Sequence, residues 1–136
     1  MIIVTDIDEC VLSWADAFYE WVVNHKGINV ENKWREHNRI EEWLIDHDGG
    51  HLVDEFNQSG AFSLLKPTAK AEIFLPVIHL MGHEFIALTA CGTSDITQEM
   101  RIRNLNEIFP GIFSKFIAVD SGVEKEAYLK EIKGHV

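Results

Sequence analysis

Ile2-Ile3-Val4-Thr5-Asp6-Ile7-Asp8 opens the chain with a β-branched apolar run that stops at two carboxylates. A short run of this kind reads as a buried strand. Side chains two residues apart on an extended backbone point the same way, so Asp6 and Asp8 are expected to emerge together from the strand's C-terminal end. Open α/β sheets place their ligands at that end. Paired carboxylates suit a hard divalent cation, Mg2+ first, which wants oxygen ligands and keeps several waters. They also suit a division of labour in which one carboxylate attacks and the other carries a proton. An Asx turn or a helix cap is the structural alternative.

Outward from this strand the chain alternates helix and strand signals. Trp14, Phe18, Trp21 and Val22 recur at helical spacing, predicting an amphipathic helix from Ser13 to His25 closed by Gly27 and Asn29. Residues 31–60 carry a helical pattern broken at Asp48-Gly49-Gly50. Pro67 reads as the start of a helix running to Met81, with Gly82 as its C-terminal cap. Phe85-Ile86-Ala87-Leu88 predicts a second buried strand ending at Thr89, followed by the turn-rich Cys91-Gly92-Thr93-Ser94. A helix from Asp95 to Phe109, a strand over Phe116-Ile117-Ala118-Val119 and a last helix from Val123 to Lys133 complete the pattern. Strands separated by helices imply a parallel sheet with right-handed crossovers.

Length and composition bound what such a fold can do. The 136 residues make one domain, 46% hydrophobic and 25% charged, which is ordinary for a soluble globular chain. The apolar runs are far shorter than a membrane span, and a strand starting at residue 2 leaves no room for a signal peptide. Cys10 and Cys91 form no zinc or disulfide pattern, so a reduced, cytoplasmic compartment is expected. The net charge of −10 sits mostly in the first 60 residues, which hold 13 acids and 4 bases. Such a surface repels a polyphosphate backbone, so extended nucleic-acid binding is disfavoured, and the short apolar runs give no expectation of a membrane partner. A small phosphorylated substrate remains compatible if a metal and a few cations neutralise it locally.

Thr5-Asp6-Ile7-Asp8-Glu9-Cys10-Val11-Leu12 resembles the first motif of the haloacid dehalogenase (HAD) superfamily, and Phe85-Ile86-Ala87-Leu88-Thr89 resembles its second. The helical stretch at residues 13–65 sits where that family carries its C1 cap, and is similar to the 5′(3′)-deoxyribonucleotidase-like branch. Lys125 in Val123-Glu124-Lys125-Glu126 fits the third-motif lysine best, with Lys115 the second candidate. The resemblance implies a three-layer Rossmann-like parallel sheet with a small helical cap over 13–65 within a single domain, 1–136. It implies Mg2+-dependent hydrolysis of a small phosphomonoester, with nucleotides among the candidates. Asp6 would be the nucleophile, Asp8 the proton carrier, and both would hold the metal. Thr89 and the backbone N–H groups of Ala90, Cys91 and Gly92 would bind phosphate, and Lys125 would offset its charge.

Two departures set the alternatives. Glu9 stands where the family often has Gly. The acidic fourth motif would follow Val136, so the fold is expected to be C-terminally truncated, and Asp120 substitutes poorly for it. A HAD-like chain that binds without turnover is therefore the competing reading. The sheet lacking a fourth strand would leave the first strand as an unprotected edge. Homodimerisation, capture of a partner's strand, or covering by the chain's own C-terminal segment is expected to satisfy it. A third reading places a metal hydrolase on Asp46, His47, Asp48 and His51, but a Gly-Gly turn accounts for that cluster more simply. His79 and His83 have zinc-helix spacing with Leu80 where a base is needed and Gly82 between them. Cys10 and Cys91 read as packing residues, and the four tryptophans as core.

Overall fold

The computed structural model describes residues 1–36, 39–47, 49–91, 94–119, 126, 127 and 129. Three parallel strands form the sheet: β1 (Ile2–Thr5), β2 (Glu84–Thr89) and β3 (Phe113–Ala118), in the spatial order β1-β2-β3. The first crossover contains α1 (Trp14–Lys26), α2 (Asn32–Glu36), α3 (Ile40–Asp46), α4 (Gly50–Asn57), a 3-10 turn (Gly60–Leu64) and α5 (Ala69–Leu80). The second contains α6 (Asp95–Ile108). The α/β class and the parallel sheet expected from alternation are what the structure has. Among the described residues, β1 is an edge strand and no helix is long and apolar enough to cross a membrane.

Strand alternation sorts the core. Val4, Leu88, Ile117 and Val119 form one small cluster, joined by Ile86 and Leu129. Phe85, Ala87 and Phe113, with the half-buried Ile3 and Phe116, face the helices and merge with one continuous core. Phe113 and Phe116 share that face although they are three residues apart. The register slips between Phe85↔Phe113 and Ile86↔Lys115, so Ser114 is the extra residue of a bulge. β3 begins at Phe113, three residues before the expected Phe116, because the bulge and the polar Ser114 and Lys115 interrupt the apolar pattern that marks a strand.

The helical stretch between β1 and α5 is built around aromatic rings. Phe18 stacks on Trp14 at 4.9 Å and meets Trp43 and Phe56 edge-on at 5.8 and 5.6 Å. Trp21, Trp34 and Trp43 are buried and Trp14 half-buried, so the tryptophans are core residues. His47 stacks on Trp43 at 4.5 Å and its Nδ1 lies 2.9 Å from the Trp43 carbonyl. That contact gives His47 a structural role; Asp48 lies outside the described residues.

α5 starts later than Pro67. Thr68 is its N-cap, its hydroxyl accepting from Ala71 N at 3.2 Å, while Pro67 bridges to Leu12 in extended backbone. Gly82 follows the helix with φ +91°, a conformation that favours glycine. The final helix expected from Val123 to Lys133 falls almost entirely outside the described residues.

Candidate active site at the strand ends

Parallel pairing brings the C-terminal ends of β1 and β2 side by side, Thr5 opposite Ala87. Beyond Thr5, where β1 ends, burial alternates: Asp6 is exposed, Ile7 fully buried, and Asp8 half-buried. The two carboxylates thus flank a side chain that plugs into the core. Asp6 Oδ1 accepts from Ile7 N at 2.8 Å. The carbonyl of Ile7 then accepts from Val11 N and Leu12 N at 2.8 and 2.9 Å, curling the loop tightly.

Glu9 sits in this curl with φ +62°, the left-handed conformation that glycine adopts most readily. Glu9 Oε1 accepts from Ala15 N at 2.5 Å, capping α1. Ser13, the N-cap by position, makes no such bond. A second strap holds the loop to the start of α5: Thr68 Oγ1 donates to Cys10 O, Thr68 N to Val11 O and Ser13 N to Lys66 O, at 2.9, 2.9 and 2.8 Å. The Asp6–Asp8 loop is consequently anchored on both flanks.

Thr89 closes β2 at 4% exposure, facing the helices by parity with Phe85 and Ala87. Its backbone carbonyl accepts from Val119 N at 2.9 Å. Ala90 is exposed and Cys91 half-buried at the turn that follows. Gly92 and Lys125, two of the expected site residues, lie outside the described residues, as does Asp120. Lys115 is on β3 three residues before its C-terminal end and is exposed.

The residue that sequence reasoning missed is Arg101. It rises from α6 at 2% exposure, and its Nη2 donates to Asp8 Oδ1 at 2.5 Å. The guanidinium lies over the Phe62 ring, 4.4 Å from its centroid. Its Nε and Nη1 are buried and, like Thr89 Oγ1, have no hydrogen-bond acceptor among the described residues. A small cavity between β2, β3 and α6 is lined by Thr89, Cys91, Gln98 and Arg101 against Ala87 and Phe116. A readable signal did exist. Thr97, Arg101, Asn104 and Leu105 form the buried stripe of α6, so three polar residues share the phase of a leucine.

Cys91 borders the same cavity. Burial pushes its thiol above the ordinary value, and the Arg101 charge offsets this only in part. A thiol so placed is a poor nucleophile, in keeping with a packing role. Neither cysteine forms a disulfide.

The donor chemistry of Asp6 and Asp8 suits Mg2+, which often takes one or two carboxylates and completes its shell with water and substrate phosphate. Asp6 is the more accessible of the two, because Arg101 already engages Asp8 Oδ1. Among the described residues no group of three His, Cys, Asp or Glu side chains is gathered as a metal site. A larger cleft of about 400 Å³ opens beside the N-terminal end of α1, with Asp16 and Glu20 facing the same space as Arg35 and Lys66.

No family model matches the chain, and no solved structure matches it significantly. It is similar to an uncharacterized 32.4 kDa protein in the Gp30-rIII intergenic region of Enterobacteria phage T4. The two are 31% identical over 142 aligned positions, covering 96% of this chain and 49% of the phage protein. The chain therefore spans about half the length of the curated relative it matches.

Proposed function

We propose that this chain is a HAD-like phosphohydrolase acting on a small phosphomonoester, with nucleotides as the first class to test. The observation that supports it most is the pairing of two carboxylates after β1 with a buried threonine at the adjacent end of β2. Asp6 attacks phosphorus and the bond to the leaving oxygen breaks, giving an aspartyl-phosphate and an alkoxide. Asp8 gives that oxygen a proton, then takes one from the water that releases phosphate and regenerates Asp6. The Thr89 hydroxyl donates to a phosphoryl oxygen. Mg2+, held by Asp6 and Asp8, would supply charge neutralisation at the phosphoryl oxygens. The helices between residues 13 and 65 serve in this reading as the cap that selects the leaving group.

Arg101 engages Oδ1 of Asp8, so in this reading the proton that Asp8 passes is carried on Oδ2. The same contact favours the second reading, a phosphate-loop module that binds without hydrolysis. Assaying p-nitrophenyl phosphate and a nucleoside monophosphate panel, with and without EDTA, separates the two. Activity is expected to need Mg2+ and to drop by orders of magnitude in Asp6→Asn. Turnover that survives both treatments overturns the phosphohydrolase reading, and phosphate binding with no turnover selects the module.

A further inference from the structure

We propose that Arg101 is an anion-holding residue of this site: its buried Nε–H and Nη1–H groups, with the Thr89 hydroxyl, receive one oxygen of a tetrahedral oxyanion. The choice of a phosphoryl group as that oxyanion rests on the phosphohydrolase reading. The donor excess does not.

Three buried donor groups border one cavity, and none has an acceptor among the described residues. Burying a guanidinium is costly unless its N–H groups are met, and Asp8 meets only the Nη2 side. The neighbouring Cys91 thiol feels both Arg101 and Thr89, but sulfur is a weak acceptor. Among the described residues, such a constellation lacks an acceptor on its Nε and Nη1 side. Arginine's planar fork matches oxyanions, and Phe62 under the guanidinium face holds the plane in place.

The size of the cavity limits what enters. It has room for roughly one water molecule, so it admits a single oxygen and not a whole phosphate. The central atom of the anion would therefore stay outside the cavity, whose lining includes the arginine that is ion-paired to Asp8. Ala87 and Phe116 wall the cavity with apolar surface, which strengthens a charge-assisted hydrogen bond made inside it. The arrangement favours an oxyanion over a neutral ligand, because guanidinium N–H groups bond more strongly to a charged oxygen than to a neutral carbonyl.

The test uses inorganic phosphate as the probe and the full chain as wild type, Arg101→Lys, Arg101→Gln and Thr89→Val. Calorimetric titration is expected to show phosphate binding to wild type, weakened about tenfold or more in both Arg101 variants. Thr89→Val should weaken it less. Circular dichroism checks that each variant is folded. Should an Arg101 variant fail to fold, the arginine Nε–H resonance in proton–nitrogen spectra of the wild type provides the second readout. It is expected to shift on phosphate addition and not on addition of the same ionic strength of chloride. Phosphate binding that is unchanged in folded Arg101 variants, or that leaves the Nε–H resonance unmoved, overturns the proposal. Absence of phosphate binding at millimolar concentrations also overturns it. Arg101-dependent binding without hydrolysis upholds the anion site and rejects the phosphohydrolase reading. Hydrolysis with unchanged KM and phosphate inhibition in Arg101→Lys does the reverse.

Discussion

Arg101 reaches across from α6 to place Nη2 2.5 Å from Asp8 Oδ1, joining the second crossover helix to the loop after β1. The pair is lopsided, because the Arg101 side chain is 2% exposed and that of Asp8 34%. Removing the acid strands a buried cation, whereas removing the base leaves an acid that water can reach. Asp8→Asn should therefore destabilise the fold by about 2–3 kcal/mol, less than a fully buried pair would lose. Arg101→Met should cost about 1 kcal/mol or less, since Met keeps the packing against Phe62. Urea unfolding midpoints measure both, and the reverse order would show that Asp8 does not serve as the counter-ion.

Asn104 clamps Leu65 at both backbone groups: its Oδ1 accepts from Leu65 N at 3.1 Å and its Nδ2 donates to Leu65 O at 2.9 Å. Both residues are buried, so Asn104→Ala leaves a donor and an acceptor without partners or water. A loss of about 2–4 kcal/mol is expected. Asn104→Asp should do no better, because it sets a carboxylate oxygen against the Leu65 carbonyl. A loss below about 1 kcal/mol in thermal or urea unfolding would mean that water replaces the clamp.

Glu9 combines an unfavourable backbone with a favourable cap. The left-handed conformation costs a non-glycine residue about 1–2 kcal/mol, and a cap bond returns about 0.5–2 kcal/mol. Glu9→Ala keeps the strain and loses the cap to Ala15 N, so it should be destabilising by about 1–2 kcal/mol. Glu9→Gly loses the cap but relieves the strain, and should remain within about 1 kcal/mol of wild type. Equal unfolding free energies for the two variants would refute the backbone argument.

Alkylation distinguishes the two thiols. Cys10 is exposed, while Cys91 is half-buried with its pKa raised mainly by burial. A raised value means that the reactive thiolate of Cys91 appears only at higher pH. Iodoacetamide at pH 8 followed by peptide mass mapping should label Cys10 several-fold faster, with the ratio narrowing as pH rises. Equal rates at pH 8 would show that Cys91 is accessible and ionised, and would reopen its candidacy as a nucleophile.

Local pattern alone accounts for β1, β2 and α1, the cap at Gly82, and the placement of Asp6, Asp8 and Thr89 at strand ends. Each depends on periods of two or 3.6 residues and on turn chemistry, which neighbours in sequence specify. The start of β3 was hidden because a bulge at Ser114 breaks the period that identifies a strand. Pro67 misled for a related reason: an extended bridge to Leu12, contributed by a distant segment, outweighed its preference for a helix's first turn.

What the sequence by itself determined is the α/β alternation and the pair of carboxylates that ends the first strand. What only the tertiary structure decided is who meets them. Arg101 is separated from Asp8 by 93 positions, Asn104 from Leu65 by 39, and Thr68 from Cys10 by 58. No local propensity encodes such pairings. They arise because burying the α6 stripe against the sheet and the 60–65 segment forces its polar members to find partners there, since water is no longer available to satisfy them.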